Sequence, residues 1–564
     1  MTKEQNYWAR VCGRRLSRRQ ALRLTARAGL GVAGVALLGC ATAQAPTSTP
    51  PRAPAATPTS RPQPSPTPTL KVPESAAFAY SLDLNSLDTH IDSTRQGTAV
   101  HDLTYDGLFR RSRDPGLELI PGLALSHQWI QGKVWEVKLR SGVKFHNGEE
   151  FDAETVKFNV ERQQNVDFKP RYISDFKDIE GVEVVDKYTV RIHPKAPDPT
   201  MPLKFVQSMI VPRKYVQEKG NEIMTTEPVG TGPYKFIKWV KDEYIDLELN
   251  PDWWGWKAGG IRAGKPQIKK LRFRPIPAES SRIAMLKTGG VDIIHPISAD
   301  SLPTLKDVSG SQVLLMKSGF SAWIAISLFE EGSPLRDKRV RQAMNYAVDV
   351  DTIIKTLLGG WMSRTYSVVG SAYNGYDPNE KPYPFDPKKA KDLLAAAGYP
   401  NGFEVEFHNP DFGHTKQKDF VQAIASYLAE VGIKTKIIPY SGTALFPQPQ
   451  FTAKKGPTGI FYDSRGTSTL DSDFVLYQNI HPAGPRSWTY YRSAEVEKLL
   501  EDARTTLDQE ARVRMYRQAL KIIKEDAPMI FLWEEPYSFV VNRNTLPAAN
   551  PRLWLVSLWD YGPA

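Results

Sequence analysis

An α/β fold divided into several lobes is what this sequence predicts, on three grounds. Short stretches that alternate apolar with polar residues, the pattern of half-buried strands, take turns along the chain with stretches of helical period. A chain of 564 residues exceeds what one hydrophobic core can serve, so division into lobes follows. Past residue 70 no apolar stretch nears membrane-spanning length, and 41% hydrophobic with 24% charged residues is the balance of a soluble globular body.

The first seventy residues read as an address and a tether. Ser17-Arg18-Arg19-Gln20-Ala21-Leu22-Arg23 precedes an apolar run from Ala28 to Gly39 that is too short and glycine-rich to remain in a bilayer. Residues 1–39 are therefore expected to be a signal peptide. The paired arginines with a following leucine resemble the twin-arginine export signal, although Ala21 stands where that signal prefers phenylalanine; the general secretory route is the alternative. Leu37-Leu38-Gly39-Cys40 resembles a bacterial lipobox with a bulkier Leu38 than usual, which makes Cys40 the candidate for lipidation. The bland alternative is a buried free cysteine at the end of an apolar helix. From Ala41 to Thr69 the chain is mainly Pro, Thr, Ser and Ala, which buries too little apolar area to offset chain entropy. Residues 40–70 are thus expected to form a lipidated, disordered tether, extending at up to about 3.1 Å per residue where it is proline-rich.

In the body, Val134-Trp135-Glu136-Val137-Lys138-Leu139 alternates cleanly and Val182 to Asp186 less so; both read as half-buried strands. Between them Asp152 is placed to cap a helix opening at Ala153. Further on, Asp386-Pro387 supplies a cap and a first-turn proline. Ala390, Leu393, Leu394 and Ala397 then form one apolar face, and Gly398 ends the helix. A strand from Gly402 to Phe407, a helix from Lys416 to Val431 and a strand from Ile433 to Ile438 complete a βαβ pattern.

Charge and motif content exclude several functions. Of the net charge of +11, seven units lie before residue 40, where Lys3, Arg10, Arg14, Arg15, Arg18, Arg19, Arg23 and Arg27 face only Glu4. A body carrying +4, with both signs scattered, lacks the concentrated basic face that phosphate neutralisation demands, so nucleic acid is not an expected partner. The two cysteines, Cys12 and Cys40, leave the body without a disulfide framework, a thiolate zinc site or a cysteine nucleophile. No His-Glu-x-x-His motif and no Gly-x-Ser-x-Gly elbow occurs, and Glu149 with Glu150 lies on an apparent turn. Neither catalysis, a metal site nor a cofactor is expected. Gly230-Thr231-Gly232-Pro233 could cradle a phosphate, but Pro233 has no amide proton to give and Tyr234–Val240 reads as a strand, so a turn is expected. Trp253, Trp254 and Trp256 could stack on a ligand or pack a structural loop.

The body also resembles a known family. Leu103-Thr104-Tyr105-Asp106-Gly107-Leu108, Pro121-Gly122-Leu123-Ala124, and Leu139 to Gly148 running into Phe151-Asp152-Ala153-Glu154-Thr155-Val156 carry the likeness. It continues through Gly230 to Phe236, Asn250-Pro251-Asp252-Trp253-Trp254, Leu286 to Ile293, Val340 to Asp349 and Lys389 to Tyr399. Over about Ala77 to Asn544 the chain thus resembles the family 5 extracellular solute-binding proteins, the oligopeptide, dipeptide and nickel-chelate binders of ATP-driven (ABC) importers. The resemblance implies a two-lobed periplasmic-binding-protein clamshell with one lobe subdivided, the cluster C type. It places a first lobe at 71–320 with a subdomain at about 110–220, a second lobe at 321–520, and a return to the first lobe at 521–564. It implies a monomer, anchored outside the cytoplasmic membrane or periplasmic, that passes a small ligand to an ABC importer permease. Opines, oligosaccharides, metal chelates, or a role as a chemoreceptor adaptor remain alternatives to a peptide ligand.

For the ligand site, the same resemblance singles out Gly459 to Arg465, where peptide binders follow a glycine and an aromatic with an aspartate that grips the ligand's amino terminus. Asp463 is the candidate for that grip, Arg465 for a guanidinium fork, and Tyr462 for an aromatic wall. Arg95 and Tyr105 are expected to face them from the first lobe. Together these groups suit a zwitterionic or anionic ligand with an apolar portion, such as a short peptide. The competing reading makes Asp463 and Arg465 ordinary loop charges facing water.

Overall fold

Two long strands organise the protein, Ser311–Ile326 and Met529–Asn542, which pair antiparallel from Ser311 opposite Asn542 to Ala325 opposite Met529. This is a computed structural model, and it describes residues 73–92, 94–111, 119–257, 268–306, 308–412, 414, 416–441, 458–467, 469–546, 550–551 and 556–557. The expected signal peptide, Cys40 and the tether up to residue 70 lie outside the described residues. Among the described residues no helix is long and apolar enough to cross a membrane.

The two long strands sit in the middle of an 11-stranded mixed sheet. On one side follow Ile460–Arg465, Phe403–Pro410 and Ile433–Tyr440. On the other side follow Ile293–Ile294, Ser75–Tyr80, Lys270–Pro275, Tyr244–Leu249 and Tyr234–Val240. The burial of Ser311–Ile326 changes along its length, as its sequence does. Its first half alternates exposed and buried residues, whereas Ala322 to Ile326 is buried throughout. The core changes with it. Leu314, Met316, Tyr537 and Phe539 pack with Phe78 and Phe273 in one cluster, while Ala322, Ile324, Ile530, Leu532 and Trp533 pack with Phe407, Phe420 and Ile460 in another. Trp323, Ala325 and Phe531 face a third cluster on the same side of the switch, which includes Tyr516, Leu520 and Ile523 of the helix Gln509–Asp526.

The two blocks of core therefore change hands within both strands, near Lys317–Phe320 and Glu534–Pro536, and the first of these places carries a register shift. The sequence puts the chain's return at 521. The core changes only at 534–536, because Met529–Asn542 is one continuous strand serving both blocks and no linker precedes it. Gly319 lies at the shift with φ +71°, and a Cβ there would come within 2.7 Å of a Leu470 methyl, so this kink requires glycine.

The first block includes a four-stranded sheet in the order Ala124–Ile130, Val134–Leu139, Thr189–Pro194, Ile179–Asp186, next to the helix Ala153–Gln164. The alternation in Val134–Leu139 buries Trp135, Val137 and Leu139, and on the opposite face Glu136 meets Arg191 at 3.0 Å. Asp152 caps the helix by accepting from the Thr155 amide at 2.9 Å. In the second block Asp386 accepts from the Lys389 amide at 2.9 Å to open the helix Pro387–Ala396. Strand Phe403–Pro410, helix Gln417–Glu430 and strand Ile433–Tyr440 then form the βαβ unit, its strands parallel.

Asp106 ties several of the sequence motifs together. Its Oδ2 accepts from Thr231 Oγ1 at 3.0 Å, Trp253 Nε1 at 3.0 Å and Trp254 Nε1 at 2.8 Å, and Arg110 pairs with its other oxygen. The tryptophans are thus packing residues. A Cβ on Gly230 would lie 2.0 Å from the Thr104 carbonyl oxygen, so this turn is glycine-rich because backbone presses on backbone.

Candidate functional site

The strand Ile460–Arg465 carries the candidate residues. It lies between Phe403–Pro410, to which it runs parallel, and Ser311–Ile326, to which it runs antiparallel with Asp463 opposite Trp323. Ile460, Phe461 and Tyr462 are apolar or aromatic in unbroken succession, as suits a strand covered on both faces. Asp463 interrupts that run and is still only 2% exposed. The water-facing alternative is thereby removed for Asp463.

A buried carboxylate needs compensation. Asp463 accepts from the Ser464 amide at 2.9 Å and lies 3.4 Å from Arg465 Nε. Burial pushes its carboxyl above the ordinary aspartate range, against the opposing pull of Arg465, Arg486, the Ser464 amide and His414. Burial likewise lowers the Arg486 guanidinium, and the like charge of Arg465 lowers it further while Asp463 draws it back. Arg465 keeps part of its side chain in solvent and passes 6.0 Å above the Phe412 ring. Tyr462 is fully buried against Phe412, His414 and Phe420, with ring centroids 6.0, 5.8 and 5.2 Å away. Its hydroxyl reaches Glu535 Oε1 at 3.3 Å, and His414 Nδ1 meets Glu535 Oε2 at 3.1 Å.

Of the five expected ligand contacts, the structure brings Asp463 and Arg465 together; Tyr462 shares their strand but is 0% exposed and packs in the core with Phe407 and Phe420, so it presents no surface to a ligand. Tyr105 is corrected: it is 1% exposed, packs with Val211, Val216 and Met224, and its hydroxyl donates to the Leu87 carbonyl at 2.9 Å. It holds the Leu87 segment in place and presents no surface to a ligand. Arg95 opens the helix Arg95–Thr104, and its side chain lies outside the described residues.

Sequence reasoning missed Glu534, Glu535, His414 and Arg486. Glu534 accepts from Ser371 Oγ at 3.0 Å, and burial raises its carboxyl, opposed by the Ser371 hydrogen bonds and Lys317. The signal was present in Met529–Asn542, where two adjacent carboxylates and Pro536 interrupt an apolar run. The segment Asp471-Ser472-Asp473-Phe474, further along the chain, opens a helix. Asp471 caps the helix Ser472–Asn479 and takes both arms of the buried Arg512 at 2.9 Å.

A carboxylate kept from water beside guanidinium and aromatic groups can hold an ammonium, a carboxylate and an apolar portion of one small molecule. The model described as bacterial extracellular solute-binding proteins, family 5 Middle, matches residues 118–487. A glutathione-binding protein, GsiB of Pectobacterium atrosepticum, is 30% identical over 474 residues, covering 82% of this chain and 89% of that protein. Two solved structures are similar in fold. The periplasmic binding protein DppA of Helicobacter pylori, in complex with the peptide STSA, is 27% identical with a TM-score of 0.67, covering 83% of this chain and 94% of that one. NikZ of Campylobacter jejuni, in complex with Ni(L-His), is 26% identical with a TM-score of 0.67, covering 84% and 95%. A family model matching two thirds of the chain and a relative 30% identical along most of its length show the family: the chain belongs to the family 5 bacterial extracellular solute-binding proteins.

Proposed function

We propose that the protein captures a short peptide or peptide-like zwitterion and presents it to the membrane-embedded permease of an ABC importer, acting as a monomer held at the outer face of the cell membrane by a lipid on Cys40. The two blocks of core act as lobes, with the kink at Lys317–Phe320 and the crossing at Glu534–Pro536 as the hinge. Asp463 grips the ligand's ammonium, while Arg465, with Arg486 nearby in its field, takes a carboxylate. The observation that carries this reading is the burial of Asp463 in an otherwise apolar strand with Arg465 at 3.4 Å. The glutathione and STSA names attached to two relatives support the ligand class.

The test is mass spectrometry of the small molecules released from the full-length protein purified from membranes. A compound bearing a free amine and a carboxylate is expected; a neutral oligosaccharide, or a metal chelate with no free ammonium, would contradict the assignment. In the same preparation Cys40→Ala is expected to leave the membrane fraction or to remain unprocessed. Unchanged partitioning into detergent would remove the lipid anchor from the proposal.

A further inference from the structure

Among the described residues, Gln207–Thr467 and Lys416–Asp300 join side chains of the two blocks away from the crossing strands. Gln207 ends the helix Met201–Gln207, whose Met201 and Phe205 belong to the first block. Its Nε2 donates to Thr467 Oγ1 at 3.1 Å, on the loop that follows Ile460–Arg465 in the second block. Elsewhere Lys416, at the start of the helix Gln417–Glu430 in the second block, pairs through Nζ with Asp300 Oδ2 at 3.1 Å. Asp300 lies five residues before Leu305, which packs with Ala79 and Val540 of the first block.

The first contact does not end at Thr467. The Thr467 amide donates to the Tyr373 hydroxyl oxygen at 2.8 Å, and the Tyr373 hydroxyl donates to the Gly319 carbonyl at 2.7 Å. Gly319 is the positive-φ residue of the kink between the blocks, and Gly466 lies directly over it, where a Cβ would come within 2.4 Å of the Gly319 oxygen. The contact across the gap is therefore connected, through one buried tyrosine, to the point where the long strand bends.

We propose that Gln207–Thr467 and Asp300–Lys416 form a two-armed clasp that sets the balance between open and closed arrangements in the absence of ligand. The Gln207 arm is linked to the bend through Tyr373 and Gly319, so that closing the gap and bending the strand occur together. The arms differ in kind. A neutral hydrogen bond responds little to salt, whereas an exposed ion pair is screened as the Debye length falls from about 10 Å at 0.1 M to about 3 Å at 1 M. This inference holds whichever solute is bound.

The test measures the open-to-closed ratio directly, in the full chain stripped of bound solute by dialysis against mild denaturant. With Cys12→Ser and Cys40→Ser removing the native thiols, spin labels are attached through Val166→Cys on the first block and Lys388→Cys on the second, both exposed positions. Distances are then read by pulsed electron resonance. Gln207→Ala is expected to raise the open-to-closed ratio about two- to tenfold, the range for one net hydrogen bond. Lys416→Met is expected to raise it up to about fivefold and to abolish the rise that 1 M NaCl produces in the parent. A ratio within about 1.3-fold of the parent for both variants would overturn the clasp, as would a salt response that survives Lys416→Met. Lys416 is partly exposed, so its variant keeps the test decisive if Gln207→Ala disturbs folding.

Discussion

The proposed ligand grip rests on one residue, Asp463. Removed from water and held above its ordinary range by burial, its carboxyl is poised to change protonation when a cation arrives. A ligand ammonium favours the charged form, so binding should release a proton wherever the free carboxyl is partly protonated. Affinity should then fall as the medium is acidified through that raised value. Calorimetry in two buffers of different ionisation heat, repeated at successive pH values on the acid side of neutrality, measures the proton directly. Different apparent enthalpies are expected, with Asp463→Asn removing the difference; equal enthalpies in the parent would show that the carboxylate does not meet a cation. Tyr105 gives the complementary lesson. Its neighbours Thr104 and Asp106 do not reveal where the ring points, because the partner of its hydroxyl is a carbonyl eighteen residues upstream.

At the scale of elements, the strongest buried electrostatics lie away from the ligand segment. Asp471 caps the helix Ser472–Asn479, accepts from Asn374 Nδ2 at 2.7 Å and holds the fully buried Arg512, tying that helix to Gln509–Asp526. Removing one member of such a pair leaves an uncompensated buried charge, at a cost of about 3–5 kcal/mol. Asp471→Ala should therefore lower the stability of the second block by about that amount in a denaturant titration, and a loss below about 1 kcal/mol would contradict the role. The elements that sequence reveals are those fixed within a turn or two. Pro387–Ala396 is legible because Asp386, Pro387 and Gly398 act locally, and the βαβ unit follows from two periodicities in succession. The kink at Gly319 is not legible, because it depends on Leu470 and on Ser318 meeting the Glu535 carbonyl, more than two hundred residues away. The division of the core at 534–536 is hidden for the same reason: an unbroken strand carries no local mark of the block it serves.

For the whole molecule, buried histidines govern the response to acid. Burial is the first cause that lowers His90, His127 and His146 to about 4 and His101 to about 3, with Arg162 reinforcing it at His90. The Arg162 Nη1 contact to His90 Nδ1 at 2.8 Å, with His90 Nε2 at 2.7 Å from the Met209 carbonyl, calls for a neutral ring. These groups have folded values below the unfolded value of about 6.5, so the unfolded chain binds more protons between the two. Their contribution to stability is complete above pH 6.5 and is lost as pH falls toward 4. Asp92 and Asp473, raised to about 6 by burial, and Asp175, Asp463 and Glu534, raised by the same cause, work in the opposite direction, while burial lowers His408 as well. The histidines prevail in the window from pH 7 to 5 because the unfolded rings take up their protons there, at about 6.5. The melting temperature should fall between pH 7 and pH 5, and an unchanged or higher value at pH 5 would contradict this reading.

The proposed ligand grip on the second block can be tested most directly by calorimetry, with the compound that co-purifies, on the parent, Asp463→Ala and Arg465→Ala. Truncating one member of a buried, charge-assisted pair costs about 2–5 kcal/mol, which corresponds to a loss of affinity of roughly thirtyfold to several thousandfold. That loss is the predicted result for Asp463→Ala, with a smaller one for the more exposed Arg465. Affinities within a factor of about three of the parent for both would show that the solute is held by other residues.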